Sequence, residues 1–113
     1  METIKTINDW ARKQFPKATD AGRLNKFLDE MNELGMIDAG YPAGFDLGEL
    51  PDVFITLVQV MADYYGSAED AQQAVDFKMA INRQRSWNIN PDGTGQHVGE
   101  GDAEDGHHEA PGP

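Results

Sequence analysis

The chain has 113 residues, 39% of them hydrophobic, which is enough for one domain with a modest core. Nine basic against 20 acidic residues give a formal net charge of -11, which argues against a nucleic-acid binder working by phosphate neutralisation. The chain contains no cysteine, so disulfide frameworks and thiolate metal sites are excluded, and no apolar run approaches the about 20 residues that span a bilayer. With no apolar segment ahead of the first helix, a cytoplasmic protein is expected.

From the N-terminus, residues 3–15 read as a first helix, with Ile4, Ile7, Trp10 or Ala11, and Phe15 at helical spacing. Pro16 ends it. Thr19 or Asp20 is positioned to cap a second helix by accepting from its free amides. On that helix Leu24, Phe27, Leu28, Met31 and Leu34 form one apolar stripe, and Glu30 and Glu33 sit three residues apart beside it. The stretch 35–48 holds four glycines and Pro42 and reads as a loop. A third helix, apolar nearly all round through Tyr65, is expected to be central and covered. Asp46 with Glu49 would make a capping box for it, but a start nearer Gly48 suits Pro51 better.

Glu49 and Asp52 repeat the acidic device, again three apart and running into the apolar VFITLVQVMA. Either pair alone is a common pattern on solvated helix edges. Both together, each beside an apolar stripe, aim four carboxylates at a core. Ionised carboxylates gathered at low dielectric repel and lose hydration, so a cation is required, and a hard divalent ion such as Mg2+ suits oxygen ligands. Asp63, three turns beyond Asp52 and about 16 Å away by helix rise, is too far for the same ions and is read as a surface residue.

Gly66 closes the third helix, and Ser67 with Asp70 reads as a capping box for a fourth, from Ala68 to about Trp87. Ala71, Val75, Lys78, Asn82 and Arg85 fall in one strip of it. Lys78 and Arg85 could snorkel from an apolar face; Asn82 cannot, which points to a polar pocket suited to phosphates. After Trp87 the periodicity is lost, and Asp92-Gly93 is a turn signal. Residues 99–113 carry five acids and no Lys or Arg, leaving 15 acids and 9 bases in residues 1–98. This tail is expected to be disordered, with His107 and His108 incidental to function.

The ordered set Glu30-x-x-Glu33, Glu49-x-x-Asp52, Lys78-x-x-x-Asn82, then Arg83, Arg85 and Trp87, resembles the MazG-like branch of the all-alpha nucleoside triphosphate pyrophosphohydrolases. With the ending DGTGQHV it looks most like phage-encoded members, including MazZ-type dATP/dGTP pyrophosphohydrolases. One departure is Pro51, where family members often carry Ala, and it bears on the angle of Glu49. The resemblance implies an all-α, four-helix core over residues 1–98, oligomeric, with the acidic tail outside it. It implies metal-dependent cleavage of a purine dNTP between the alpha and beta phosphates, giving the monophosphate and pyrophosphate. On that resemblance Glu30, Glu33, Glu49 and Asp52 hold two or three Mg2+ or Mn2+ ions, with Glu33 or Glu30 taking the proton of the attacking water. Lys78, Asn82 and Arg85 would hold the distal phosphates, and Ile7 and Trp10 the base. A homodimer or homotetramer is expected, because four short helices leave much apolar surface. Two other readings stay open: a dUTP or dCTP pyrophosphatase of the same superfamily, and a non-catalytic helical interaction module.

Overall fold

The computed structural model describes residues 1–34 and 47–98. The expected loop over 35–48 lies, except for its last residues, outside the described residues, as do Asp46 and the whole expected tail with His107 and His108. The chain divides into two compact units, residues 1–71 and 72–113.

The first unit is built from α1 (Ile4–Gln14), α2 (Asp20–Leu34), α3 (Leu50–Tyr65) and the start of α4 (Ala68–Gln84). A capping box starts α1: the Thr3 hydroxyl accepts from the Thr6 amide at 3.1 Å and the Thr6 hydroxyl from the Thr3 amide at 2.7 Å. Thr19 caps α2, its hydroxyl accepting from the Gly22 amide at 3.0 Å. A single 3-10 turn, Leu47–Glu49, leads into α3, so that Pro51 falls within the first two helical positions, where its missing N–H costs nothing. Gly66 ends α3 in the left-handed conformation at φ 103°, and its amide donates to the Ala62 carbonyl at 2.9 Å. One residue on, the Ser67 hydroxyl accepts from the Asp70 amide at 3.0 Å and opens α4.

Helix α3 packs against both α1 and α2. The core comprises Ile7 and Ala11 from α1, Leu34 from α2, Val58 and Ala62 from α3, and Ala68 and Ala71 from α4. Leu34 and Val58 are fully enclosed, worth about 1.5–3 kcal/mol each by removal from water. The expected stripes are wider than this core. Leu24 and Leu28 on α2, and Leu50, Phe54 and Tyr64 on α3, remain exposed, so α3 is only partly covered within one chain.

Asp63 corrects the expectation of a surface residue. Its side chain is 11% exposed, and its two oxygens accept from Arg12 Nη2 of α1 at 2.8 Å and from Arg23 Nε of α2 at 2.7 Å. Arg23 also donates to Asp20 Oδ1 at 2.7 Å and to the Ala18 carbonyl at 2.9 Å. One carboxylate on α3 thus fastens three helices.

In the second unit α4 ends at Gln84, short of the expected Trp87, and the all-α frame acquires a two-stranded antiparallel hairpin. Strand β1 (Trp87–Ile89) pairs with β2 (Gly95–His97) in the register Trp87 to His97 and Ile89 to Gly95. The turn signal at Asp92-Gly93 is borne out: the Gly93 amide donates to the Asn90 carbonyl at 2.8 Å, with Gly93 at φ 91°. Asp92 Oδ1 accepts from the Thr94 amide and hydroxyl at 3.0 and 2.6 Å, which holds its carboxyl below the usual range. Trp87 Nε1 donates to the Asn82 carbonyl at 3.0 Å and stacks edgewise on His97, tying the hairpin to α4.

Candidate active site

The helical frame brings three of the four sequence-predicted carboxylates together. Glu30 of α2, Glu49 at the mouth of α3 and Asp52 in its first turn each offer an oxygen, and the three oxygens lie within 4.8 Å of one another. They grade from buried Glu30 through half-buried Glu49 to exposed Asp52, so the cluster opens toward solvent on one side. Thr56, buried one turn below, donates its hydroxyl to the Asp52 carbonyl at 3.0 Å and closes the first turn of α3 beneath the acid. Glu33 is exposed on α2 and lies outside this group.

Charges at such spacing repel by about 3 kcal/mol per pair at an effective dielectric of about 20. Lys26, one turn before Glu30, sets its ammonium 3.3 Å from Glu30 Oε2. The hydrogen bond to Glu30 and its charge hold the Lys26 ammonium above its ordinary value. Glu30 Oε1, in contrast, is buried with no hydrogen-bond partner. A carboxylate oxygen shut from water and left unmatched costs about 1–3 kcal/mol or more, and this one belongs to a cluster of acids. An oxygen-liganded divalent cation fits that donor set.

The acids open into a cleft of about 370 Å3 within the first unit, lined among others by Trp10, Phe15, Lys26, Glu30, Asp52 and Gln59. Trp10 and Phe15, each about half exposed, meet edge to face with centroids 5.7 Å apart and form its aromatic wall. Of the two residues expected at the base, Trp10 lines this cleft; Ile7 is in the core, 8% exposed, and lines a neighbouring apolar hollow with Trp10, Pro51 and Phe54. Lys78, Asn82 and Arg85 belong to the second unit, all half-buried; Lys78 and Asn82 lie on the expected strip of α4, and Arg85 falls just past its end at Gln84. Sequence reasoning missed Phe15, Lys26 and Gln59 as cleft residues. Lys26 carried a signal, since it lies four residues before Glu30 and so on the same helix face.

No family model matches the chain. It is 40% identical over 102 residues to a dATP/dGTP diphosphohydrolase of Salmonella phage PMBT28, a match covering 90% of this chain and 32% of that protein. The chain therefore spans about a third of the length of that relative. Among solved structures it is similar to the cyanophage S-2L MazG-like pyrophosphohydrolase bound to dGDP and three catalytic Mn2+ ions per active site. That likeness has a TM-score of 0.54 and 29% identity, and covers 88% of this chain and 96% of the other. The helical frame and the clustered acids of α2 and α3 stand beside these two likenesses, and in both fold and sequence the chain resembles a MazG-like pyrophosphohydrolase.

Proposed function

We propose that the protein is a metal-dependent purine dNTP pyrophosphohydrolase, cleaving dGTP or dATP between the alpha and beta phosphates to give the monophosphate and pyrophosphate. The observation that carries this reading is buried Glu30, whose Oε1 has no hydrogen-bond partner and whose carboxylate clusters with those of Glu49 and Asp52, a donor set that calls for a divalent cation. The purine preference rests on the phage relative and on the dGDP-bound cyanophage structure.

In this reading Glu30, Glu49 and Asp52, with Glu33 at the margin, hold two or three Mg2+ or Mn2+ ions. Such ions lower the pKa of a bound water and neutralise charge on the phosphates. Glu33, exposed and outside the trio, is assigned to accept the proton of the attacking water, with Glu30 the alternative. Trp10 and Phe15 give the base an aromatic wall, with Ile7 behind Trp10. Lys78, Asn82 and Arg85 are the residues proposed for the distal phosphates, on the family resemblance, with Lys78 and Asn82 one turn apart on α4.

Residues 1–98 form the functional domain in this account, and the protein acts as a homodimer or homotetramer. The exposed Leu50 and Phe54 of α3 supply apolar surface for such a contact. Its work lies in the cytoplasm, where the nucleotide pool is, and among the described residues no helix is long and apolar enough to cross a membrane. Light scattering at micromolar concentration tests the assembly, and a monomer would refute it. Melting in Mn2+ tests the site: the wild type is stabilised, and Asp52→Asn is not.

A further inference from the structure

The cleft has two cations in its wall, and they are held very differently. Arg23 is 11% exposed and committed through every nitrogen: Nε to Asp63, Nη2 to Asp20, Nη1 to the Ala18 carbonyl. It cannot turn toward a ligand without undoing the fastening of three helices. Lys26 sits one turn along the same helix with its side chain 61% exposed, on a flexible four-carbon stem, and its ammonium reaches Glu30 Oε2 at 3.3 Å. Its hydrogen-bonding capacity is three donors, so one contact to Glu30 leaves room for others.

We infer that Lys26 is an exchangeable counter-ion: it neutralises Glu30 while no divalent cation is bound, and is handed to the phosphate chain of the nucleotide once the cation takes Glu30. This rests on the metal-dependent reading of the same site. The charge logic is direct. Glu30 is 6% exposed, and in the cation-free protein its charge needs a partner, which Lys26 supplies through one oxygen only. A divalent ion on the trio makes that ammonium redundant and repels it. The cleft between Trp10, Phe15 and the acids is open to it, and the anion entering that cleft is a triphosphate, for which a released ammonium is a ready partner. Lys26 is thus a positioning residue for substrate, and its two tasks pull binding in opposite directions.

The test is titration calorimetry on the full chain with Lys26→Met and Lys26→Gln, and Lys17→Met as a charge-matched control away from Glu30. Circular dichroism checks that each variant folds. Mn2+ is titrated alone, then a non-hydrolysable dGTP analogue into Mn2+-loaded protein. The expected result is Mn2+ binding about two- to fivefold tighter in both Lys26 variants, because an exposed competitor of modest strength is gone. Analogue binding should become about three- to tenfold weaker, with Lys17→Met unchanged in both titrations. If the wild type binds Mn2+ and the Lys26 variants bind it equally or less well, Lys26 is not a competitor and the inference is overturned while the site stands. Tighter Mn2+ with unaltered analogue binding overturns the handover. A wild type that binds no Mn2+ removes the metal-dependent reading itself, and this inference with it.

Discussion

Arg23 and Asp63 meet at 2.7 Å with both side chains 11% exposed, an ion pair between helices whose partners lie 40 residues apart in the chain. Arg12 completes it from α1. Removing one partner of such a group strands the others, and Asp63→Ala is expected to cost about 3 kcal/mol, read as a loss of denaturation midpoint.

The same pair sets a pH dependence. Burial works against ionised Asp63, but the hydrogen bonds from Arg23 and Arg12 outweigh it, so its pKa lies below the ordinary 3.8. A carboxyl with a depressed folded pKa contributes stability that is present above 3.8 and is lost as the pH falls from there through the folded value. Wild type should therefore lose stability on acidification in that window, and Asp63→Asn should lack that component when the two melting curves are subtracted.

Glu30 is expected to be a residue that function keeps at the expense of stability. Without metal, Glu30→Gln relieves repulsion in the cluster and should raise stability by about 1 kcal/mol. With Mn2+ at about one hundred times its Kd the wild type should gain about 2.7 kcal/mol and overtake the variant, which gains nothing. Paired thermal melts in EDTA and in Mn2+ read both halves.

Trp10 offers a test of the aromatic wall. It is 52% exposed, so Trp10→Ala should leave the fold nearly intact. Lost stacking on the base should weaken nucleotide binding by about 1–3 kcal/mol, measured by titration in Mn2+.

Gly66 gives a purely conformational prediction. A Cβ there would find Asp70 Oδ2 at 3.7 Å, ordinary contact, so no clash arises. The φ of 103° alone makes Gly66→Ala costly, by about 1–2 kcal/mol in chemical denaturation.

Much of this molecule was legible in the residues. Thr19, Pro51, Gly66 and Ser67 mark helix ends through local chemistry, and all four act where the chain predicts. Glu30, Glu49 and Asp52 were legible as a set because helical spacing puts acids beside apolar stripes, and the frame brings these three together. The Asp63 clamp was not, because its partners are 40 and 51 residues away and no local rule connects them. The hairpin escaped as well: its strands are three residues each, too short for an alternating pattern, and only the Asp92-Gly93 turn showed. Leu24 and Leu28 continue a stripe that one chain does not bury, so periodicity marked the apolar face correctly but overstated the core.

The most direct measurement is pyrophosphate release from each common dNTP and NTP in Mn2+, with EDTA as the blank and Glu30→Gln alongside. The account predicts equimolar pyrophosphate and monophosphate, greatest from dGTP and dATP, abolished by EDTA and by the substitution. Absence of release from every nucleotide in Mn2+ would contradict it, and the acids and exposed apolar faces would then belong to an interaction module.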